Sequence, residues 1–117
     1  MMKIKIYHKP TCSTSRKALK MLEENNSDFE IVKYYEERFT KNKLKTLLKK
    51  MNLEPSDLLR KKEKAYKDLD FKNQNYTKDQ IIEFMVENPD LIERPIIEIG
   101  EKAVLGRPLE NVANFIK

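Results

Sequence analysis

The residue best suited to nucleophilic chemistry is Cys12, the only cysteine of the chain. It follows the loop His8–Thr11, in which Pro10 prevents a preceding strand from continuing, and it precedes a polar run, Ser13–Ser15, that offers a helix N-cap. Free backbone N–H groups at a helix N-terminus stabilise a thiolate and lower its pKa below the free value of about 8.5. The same donors would hold an oxyanion, so the pattern indicates a thiolate that attacks one. The alternative is a small buried cysteine that only packs.

Arginine is the second residue type that points to chemistry, because the chain uses it sparingly. Only five of its 24 basic residues are arginines. A planar guanidinium binds oxyanions through two parallel hydrogen bonds, which lysine cannot do, so an arginine in a lysine-rich chain can mark a position where that geometry matters. For each arginine the alternative is a surface ion pair, for example with Glu63 or Glu93. The five are Arg16, Arg38, Arg60, Arg94 and Arg107.

The composition predicts one highly charged globular domain in a reducing compartment. The chain has 117 residues, 39% of them hydrophobic and 37% charged, and no apolar run approaches the length of a membrane span. The sequence leads from Met1 directly into the first predicted strand, which leaves no room for a signal peptide. A single cysteine cannot form an internal disulfide, so we expect a cytoplasmic protein. One histidine and one cysteine also argue against a zinc site, and we expect no metal.

The net charge of +5 is unevenly distributed along the chain. Residues 40–67 carry ten basic and three acidic side chains. A basic face is compatible with nucleic-acid binding. These lysines fall mostly on the polar side of a predicted helix, however, and no nucleic-acid-binding motif accompanies them. A solvated face is therefore the preferred interpretation.

Hydrophobic spacing predicts the elements of the N-terminal part. Ile4 and Ile6 alternate with lysines, which is typical of a short strand. A strand, a helix and a second strand in this order form a βαβ unit with parallel strands. The predicted elements are a strand ending at Tyr7, a helix over residues 16–22, a turn at Asn25–Asp28 and a strand at Phe29–Tyr35.

The remainder of the chain predicts several helices and then a hairpin and a final helix. Thr40 is a predicted N-cap, and Thr77 with Gln80 forms a predicted capping box. The polar stretch 61–76 is weakly patterned, with Tyr66, Leu69 and Phe71 as expected anchors. The predicted elements are helices over 41–51, 55–60, 78–88 and 109–116, a third strand at Pro95–Ile99, a turn at Gly100–Lys102 and an antiparallel fourth strand at Ala103–Leu105.

This order of elements is that of a thioredoxin-like fold, an α/β domain with a mixed four-stranded sheet and a helical insertion at about residues 40–90. We predict a single domain over residues 1–117. In that fold the proline before the third strand forms a cis peptide bond and faces the active cysteine. Pro95 occupies this place, although it could also be an ordinary strand-initiating proline.

Four segments together resemble the glutaredoxin-coupled arsenate reductases, in that family's order and at its spacing. The resemblance covers nearly the whole chain and is specific, because the segments are separate and all agree. The fold that it implies is the thioredoxin-like fold with a helical insertion. The segments are His8–Arg16, Leu58–Lys61, Arg94–Ile96 and Gly106–Pro108.

The resemblance implies a role for each matching residue. Cys12 corresponds to the nucleophile, His8 to the loop histidine that assists thiolate formation, and Ser15 to the loop serine of the family. Pro95 corresponds to the structural proline of the site. The arginines that bind and stabilise the oxyanion in the family correspond to Arg60, Arg94 and Arg107.

The implied chemistry is reduction of arsenate to arsenite through a covalent adduct on Cys12. No second cysteine is available, so glutathione is expected as a co-substrate and glutaredoxin as the partner that clears the mixed disulfide. No bound metal or organic cofactor is expected. The implied partners are arsenate or a similar oxyanion, glutathione and glutaredoxin, with no membrane and no nucleic acid.

Two alternatives remain open on the sequence. One is a regulatory or binding module similar to the Spx-type regulators, which would dock on RNA polymerase. These regulators usually carry Cys-x-x-Cys, whereas here Ser15 stands at the fourth position of that motif. The other is a monothiol oxidoreductase that acts on glutathionylated proteins and needs no arsenate. The chain also ends directly after its last predicted helix, whereas longer members of the arsenate reductase family carry a further tail.

Overall fold

A computed structural model describes residues 3–25 and 28–116 of the chain. These residues group into two compact units, one formed by the described residues up to 37 together with those from 94 onward, and the other by residues 38–93. The predicted insertion, about residues 40–90, falls within the second unit; the single domain predicted for residues 1–117 stays a prediction. The elements are β1 (Ile4–Tyr7), α1 (Ser13–Glu24), β2 (Phe29–Val32), α2 (Lys41–Met51), a 3₁₀ turn (Pro55–Leu58), α3 (Lys64–Asp68), α4 (Lys78–Glu87), a 3₁₀ turn (Pro89–Leu91), β3 (Ile96–Ile99), β4 (Lys102–Leu105) and α5 (Glu110–Phe115).

The four strands form one mixed sheet in the order β2-β1-β3-β4. β1 pairs with β2 in parallel, and β3 pairs antiparallel with β4, as predicted. β1 also pairs antiparallel with β3. This is the predicted α/β, thioredoxin-like arrangement, with helices between β2 and β3. The register places Tyr7 opposite Ile96, and Ile96 opposite Leu105. The chain that follows β1, the chain that precedes β3 and the chain that follows β4 therefore meet at one end of the sheet.

One face of this sheet packs on α1 and α5. Ile6 and Ile97 from the two central strands are fully buried with Ala18 and Leu22 of α1 and Val112 of α5. The i, i+4 spacing of the two α1 residues places both on the same side of the helix, so this small cluster fixes α1 against β1. The first turn of α1 is consequently held at the end of the sheet where the three chain segments meet.

A buried polar pair lies on the opposite face of the same two strands. The Tyr7 hydroxyl donates to a carboxylate oxygen of Glu98 at 2.5 Å, and both side chains are buried. Burial, followed by the hydrogen bond and the charge of Glu98, raises the pKa of Tyr7 well above its ordinary value. Tyr7 is thus a neutral hydrogen-bond donor that cross-links β1 and β3.

The second unit, residues 38–93, is built around α2 and α4. The Thr40 hydroxyl accepts the N–H of Lys43, and Thr77 and Gln80 form the predicted capping box of α4. On the exposed side, Lys41 contacts Glu83 at 2.9 Å. The apolar stripe of α2 is buried as predicted, at Leu44, Leu47 and Leu48.

Four local predictions were wrong. The helix predicted over residues 55–60 is a 3₁₀ turn limited to Pro55–Leu58. α1 begins at Ser13 rather than at residue 16, with Cys12 itself at the N-cap. β2 ends at Val32 instead of Tyr35, because the chain forms a turn there: the N–H groups of Glu36 and Glu37 both donate to the carbonyl of Lys33. The helix α3 was not predicted within the polar stretch 61–76.

Two further predictions concern segments that the structure describes only in part: the turn at Asn25–Asp28 and the direct lead from Met1 into the first strand. The turn predicted at Asn25–Asp28 includes residues 26 and 27, which lie outside the described residues, as do residues 1 and 2 before the first strand. Within the described ranges, no helix combines the length and apolarity that crossing a membrane requires.

Candidate functional site

Cys12 lies at the N-cap of α1, at the end of the sheet where three chain segments meet. Its backbone is extended, with φ −97° and ψ 121°, and its carbonyl accepts the N–H of Arg16 at 3.0 Å, which is the first bond of the helix. Its own N–H donates to the carbonyl of Lys9 at 3.0 Å. The loop is therefore closed on both sides of Cys12, and the residue is 8% exposed.

Two arginines converge on the Cys12 sulfur. A terminal nitrogen of Arg107 donates to Sγ at 3.3 Å, and the Arg94 side chain also hydrogen-bonds to the sulfur. The two arginines are tied together, since Nε of Arg107 donates to the backbone carbonyl of Arg94 at 2.8 Å. Arg94 is buried. The structure thus brings three of the predicted site residues, Cys12, Arg94 and Arg107, into one cluster.

These contacts shift the pKa of the Cys12 thiol. Burial raises the pKa of Cys12, but a hydrogen bond from the Ser15 N–H, a hydrogen bond from Arg94 and the charges of Arg107 and Arg94 outweigh it. The net effect lowers the pKa of Cys12 below its ordinary value. The contact from Ser15 comes from the first turn of α1, where backbone N–H groups have no partner within the helix.

His8 and Ser15 form a second hydrogen-bonded group behind the thiol. Nδ1 of His8 lies 2.6 Å from Oγ of Ser15, and both side chains are buried. The same Oγ accepts the backbone N–H of Lys9 at 3.0 Å. Ser15 thereby joins the first turn of α1 to the loop that follows β1.

Burial, followed by the charge of Arg16, lowers the pKa of His8 below its ordinary value, with a smaller lowering from Lys33. The imidazole is therefore neutral near pH 7. The imidazole tautomer sets which of His8 and Ser15 donates in this contact, and the Ser15 oxygen accepts the Lys9 N–H in either case. His8 is not among the groups that lower the pKa of Cys12.

Gly106 and Asn111 position Arg107 and were not predicted. A Cβ on Gly106 would lie 2.8 Å from Cγ of Pro95 and 2.9 Å from a methyl of Val112, so only glycine fits between them. The Asn111 amide donates to the carbonyls of Leu105 and Arg107 at 3.1 and 3.2 Å, spanning the same turn. Gly106 was recognised in the sequence only as part of a motif, and an asparagine in a short helix gives no sequence signal of this role.

The peptide bond between Arg94 and Pro95 is cis, as predicted, and the bond between Arg107 and Pro108 is also cis, which was not predicted. The Gly106 N–H donates to the carbonyl of Pro95 at 2.8 Å. The segments that carry the two arginines are thus bonded directly to each other, next to the Cys12 loop.

Arg60 belongs to the second unit. Its Nε donates to a carboxylate oxygen of Glu63 at 2.7 Å, the kind of ion pair that the sequence left open as an alternative. Its backbone N–H donates to the carbonyl of Leu91. A role for Arg60 in oxyanion binding stays a prediction.

The remaining arginines have other surroundings. Arg16 is exposed and donates to the carbonyl of Pro10 at 2.8 Å, which braces the Cys12 loop from outside. Arg38 is exposed and serves as a control position. The described part of the chain contains no cluster of three or more His, Cys, Asp or Glu side chains arranged to hold a metal ion.

A thiolate held by two guanidinium groups and a helix N-terminus suits attack on an anionic electrophile.

Comparison with known proteins identifies a family whose named members include arsenate reductases. Residues 7–115 match the sequence pattern of the ArsC family. The chain is 40% identical over 113 residues to the arsenate reductase of Neisseria meningitidis serogroup B, covering 96% of this chain and 97% of that protein.

Two further matches also cover nearly the whole chain. The chain is 40% identical to the Escherichia coli K12 protein named Uncharacterized protein YfgD, over 97% of this chain and 96% of that protein. The solved structure of an arsenate reductase from Vibrio cholerae superimposes with a TM-score of 0.91 at 37% identity, covering 97% of each chain.

Proposed function

Because this chain belongs to the ArsC family, we propose that it is an arsenate reductase in which Cys12 is the nucleophile. The observation that carries the proposal is the cluster at the end of the sheet, where Arg107 contacts the Cys12 sulfur at 3.3 Å beside the buried Arg94. Two fixed cations next to a thiolate both stabilise the nucleophile and attract an oxyanion substrate.

In the first step, the Cys12 thiolate attacks As(V) of arsenate and forms an S–As bond. One arsenate oxygen leaves as water after taking up protons, and no electrons are transferred. Arg94 and Arg107 neutralise the remaining oxygens, while the Ser15 N–H that faces the thiolate stays available to the adduct. As the sulfur gives up its charge to the new bond, the guanidinium groups can move their hydrogen bonds to the oxyanion.

Arg60 is proposed as the third oxyanion ligand. In the described structure its guanidinium is occupied by Glu63, so this role requires the ion pair to be exchanged for the substrate. Both side chains are partly exposed, and an ion pair of this kind contributes only about 1 kcal/mol or less. Exchange for a doubly charged oxyanion is therefore energetically feasible.

In the second step, the electrons come from an external thiol, which we propose to be glutathione. Its thiolate attacks the Cys12 sulfur, an S–S bond forms, and the S–As bonding pair leaves with arsenic as arsenite. Arsenic gains two electrons and the two sulfurs together lose two. Glutaredoxin then takes the glutathione from Cys12 by thiol–disulfide exchange and restores the thiolate.

An external donor is required by the chain itself. Cys12 is the only cysteine, and Ser15 holds the position at which a Cys-x-x-Cys loop would carry a resolving thiol. We propose that no bound metal or organic cofactor takes part, and that the enzyme works in a reducing cytoplasm where glutathione is abundant.

His8 and Ser15 are proposed to position the thiolate rather than to act as its base. Their 2.6 Å contact holds the Ser15 backbone N–H against the sulfur, and a neutral imidazole adds no positive charge to the site. In this assignment the two arginines and the helix terminus stabilise the thiolate, and His8 fixes their geometry through Ser15.

The test is a coupled assay with arsenate, glutathione, glutaredoxin, glutathione reductase and NADPH. NADPH oxidation should require arsenate and the protein, and should disappear in Cys12→Ser. Turnover with a glutathionylated peptide in place of arsenate would favour a monothiol oxidoreductase. Absence of any turnover, with capture of RNA polymerase from cytosol, would favour a regulatory module.

A further inference from the structure

An open pocket of about 530 Å³, called the cavity below, lies at the surface of the second unit, between Arg60 and Gln74. Its charged lining residues are exposed, and its two aromatic rings are half-buried. Small-molecule sites typically have volumes of about 300–1,000 Å³, with apolar walls and a few polar groups. The residues that line this cavity combine two aromatic rings with four charged groups: Lys61, Tyr66, Lys67, Asp70, Phe71 and Lys72.

The aromatic wall is held firmly in place. Tyr66 and Phe71 stack with their ring centroids 4.8 Å apart and their planes 7° from parallel. Phe71 also meets Tyr76 and Phe84 edge to face, at 5.1 and 6.0 Å, and the Tyr76 hydroxyl donates to the carbonyl of Leu69 at 2.6 Å. The stacked pair is therefore anchored to α4 and offers a fixed apolar surface.

The lysines of the cavity differ from their neighbours in how they are paired. Arg60 contacts Glu63 at 2.7 Å, and Lys64 contacts Asp68 at 3.1 Å. These two acidic side chains therefore pair with basic residues that do not line the cavity. Within the described ranges, the three lysines that line the cavity make no ion pair or side-chain hydrogen bond: Lys61, Lys67 and Lys72.

The one acidic group of the lining is also occupied. Both carboxylate oxygens of Asp70 accept from the Asn73 amide, at 2.9 and 3.1 Å. Asp70 itself adopts a left-handed backbone with φ 54°, which turns the chain between α3 and the following loop. The cavity thus keeps an excess of positive charge beside an apolar wall.

We propose that this cavity binds a small aromatic anion, that is, a planar ring that carries a phosphate or carboxylate group. The ring would pack on the Tyr66–Phe71 pair, and the lysines would neutralise the anionic group. This site is separate from the Cys12 cluster in its residues and does not depend on the proposed arsenate chemistry. Its ligand would be an effector or a second binding partner rather than the oxyanion substrate.

The probe for this site is phenyl phosphate, followed by ¹⁵N–¹H correlation spectra of the full chain. Saturable shifts should appear at the backbone amides of residues 66–72. Lys67→Gln together with Lys72→Gln should raise the Kd by about fivefold or more. Lys49→Gln, an exposed lysine of α2 in the same unit, should change the Kd less than twofold.

Three further titrations separate the parts of the recognition. Benzoate in place of phenyl phosphate should give the same pattern of shifts, and the tighter of the two identifies the preferred anionic group. Benzyl alcohol, which lacks the charge, and inorganic phosphate, which lacks the ring, should each bind the residues 66–72 at least about fivefold more weakly.

The proposal is overturned by any of three results. These are the absence of saturable shifts at residues 66–72, equal weakening by the Lys49 and the cavity substitutions, and equal binding of the neutral or the ring-free probe. Shifts confined to the Cys12 loop would report the proposed oxyanion site instead, so the failure of one proposal is distinguishable from the failure of the other.

Discussion

At the scale of single residues, the reactivity of Cys12 depends on a balance between burial and fixed positive charge. Burial alone would keep the thiol protonated, because a charge is costly to remove from water. The Ser15 N–H, Arg94 and Arg107 reverse this effect. The nucleophile is therefore shielded from solvent while its pKa stays below the ordinary value.

Replacement of Arg107 by lysine tests this balance. The charge remains, but the guanidinium hydrogen bonds to the sulfur and to the carbonyl of Arg94 are lost. We expect the pKa of Cys12 to rise, measured as the pH midpoint of iodoacetamide alkylation, and kcat/KM for arsenate to fall by about tenfold or more.

The same substitution at the other arginines completes the series. Arg94→Lys and Arg60→Lys should also lower kcat/KM, whereas Arg38→Lys, at an exposed position, should have little effect. Equal losses at all four positions would show that general electrostatics had been mistaken for a site. A wild-type alkylation midpoint at or above about 8.5 would contradict the activated thiolate.

His8 gives a pH-dependent prediction that can be followed without interference, since it is the only histidine. Its folded pKa lies below the unfolded value of about 6.5, so below that pH the unfolded chain binds more protons than the folded one. The free energy of unfolding should therefore fall as the pH is lowered through this window.

In untagged protein, the imidazole C2–H resonance should titrate with a midpoint below about 6.5. Denaturant unfolding at several pH values should show that His8→Asn removes part of the acid destabilisation, so that wild type loses more stability than the variant as the pH falls. A midpoint above about 6.5 would contradict the neutral His8 of this account and would favour a charged imidazole paired with the thiolate.

Ser15 is expected to matter for structure and reactivity together. Ser15→Ala removes the partner of His8 and leaves the Lys9 N–H without its acceptor, which costs about 1–3 kcal/mol of unfolding free energy. The alkylation rate at pH 7 should also fall. Ser13→Ala, in the same turn but exposed, is the control. An equal loss there would show that the effect of Ser15→Ala does not come from the hydrogen bonds to His8 and Lys9.

At the scale of the elements, most of the architecture followed from caps and apolar spacing. Thr40 and Thr77 predicted the starts of α2 and α4, and alternating isoleucines predicted β1. The start of α1 was wrong because the run Ser13–Ser15 contains several residues that can cap, and none of them does. Only tertiary contacts decide among such equivalents.

The elements that sequence did not predict lack a local signal. α3 is five residues long, has no fully buried side chain and is fixed by the aromatic cluster around Phe71 rather than by its own periodicity. The family resemblance supplied the arginines that converge on Cys12. The bracing by Asn111 depends on the turn after β4 folding back onto α5, which no spacing in the sequence reports.

Gly106 links the elements to the site and gives a prediction at this scale. In Gly106→Ala the new methyl must displace Pro95 or Val112, and with them the turn that holds Arg107. We expect a loss of about 1–3 kcal/mol in stability, together with a fall in kcat/KM.

Gly100 is the matched control. It has φ 59° in the β3–β4 turn, so Gly100→Ala should lower stability through backbone strain but leave kcat/KM nearly unchanged. If both alanine variants retain full activity at temperatures where they are folded, the turn after β4 does not position Arg107.

At the scale of the whole molecule, one sheet end gathers the nucleophile and two of its cations from segments that are far apart in sequence. β1 delivers the Cys12 loop, the start of β3 delivers Arg94, and the end of β4 delivers Arg107. The antiparallel pairing of β3 with both β1 and β4 is what brings these three ends together. With no second cysteine in the chain, however, this arrangement supplies a nucleophile without the means to complete a redox cycle.

The most direct test of the account is therefore the mass of Cys12 after a single turnover. Protein mixed with arsenate and glutathione, without glutaredoxin, should carry one glutathione on Cys12 and release one equivalent of arsenite. Neither should occur when arsenate is omitted or in Cys12→Ser. Turnover with thioredoxin alone and no glutathione, or glutathione on Cys12 without arsenate, would contradict the proposed mechanism.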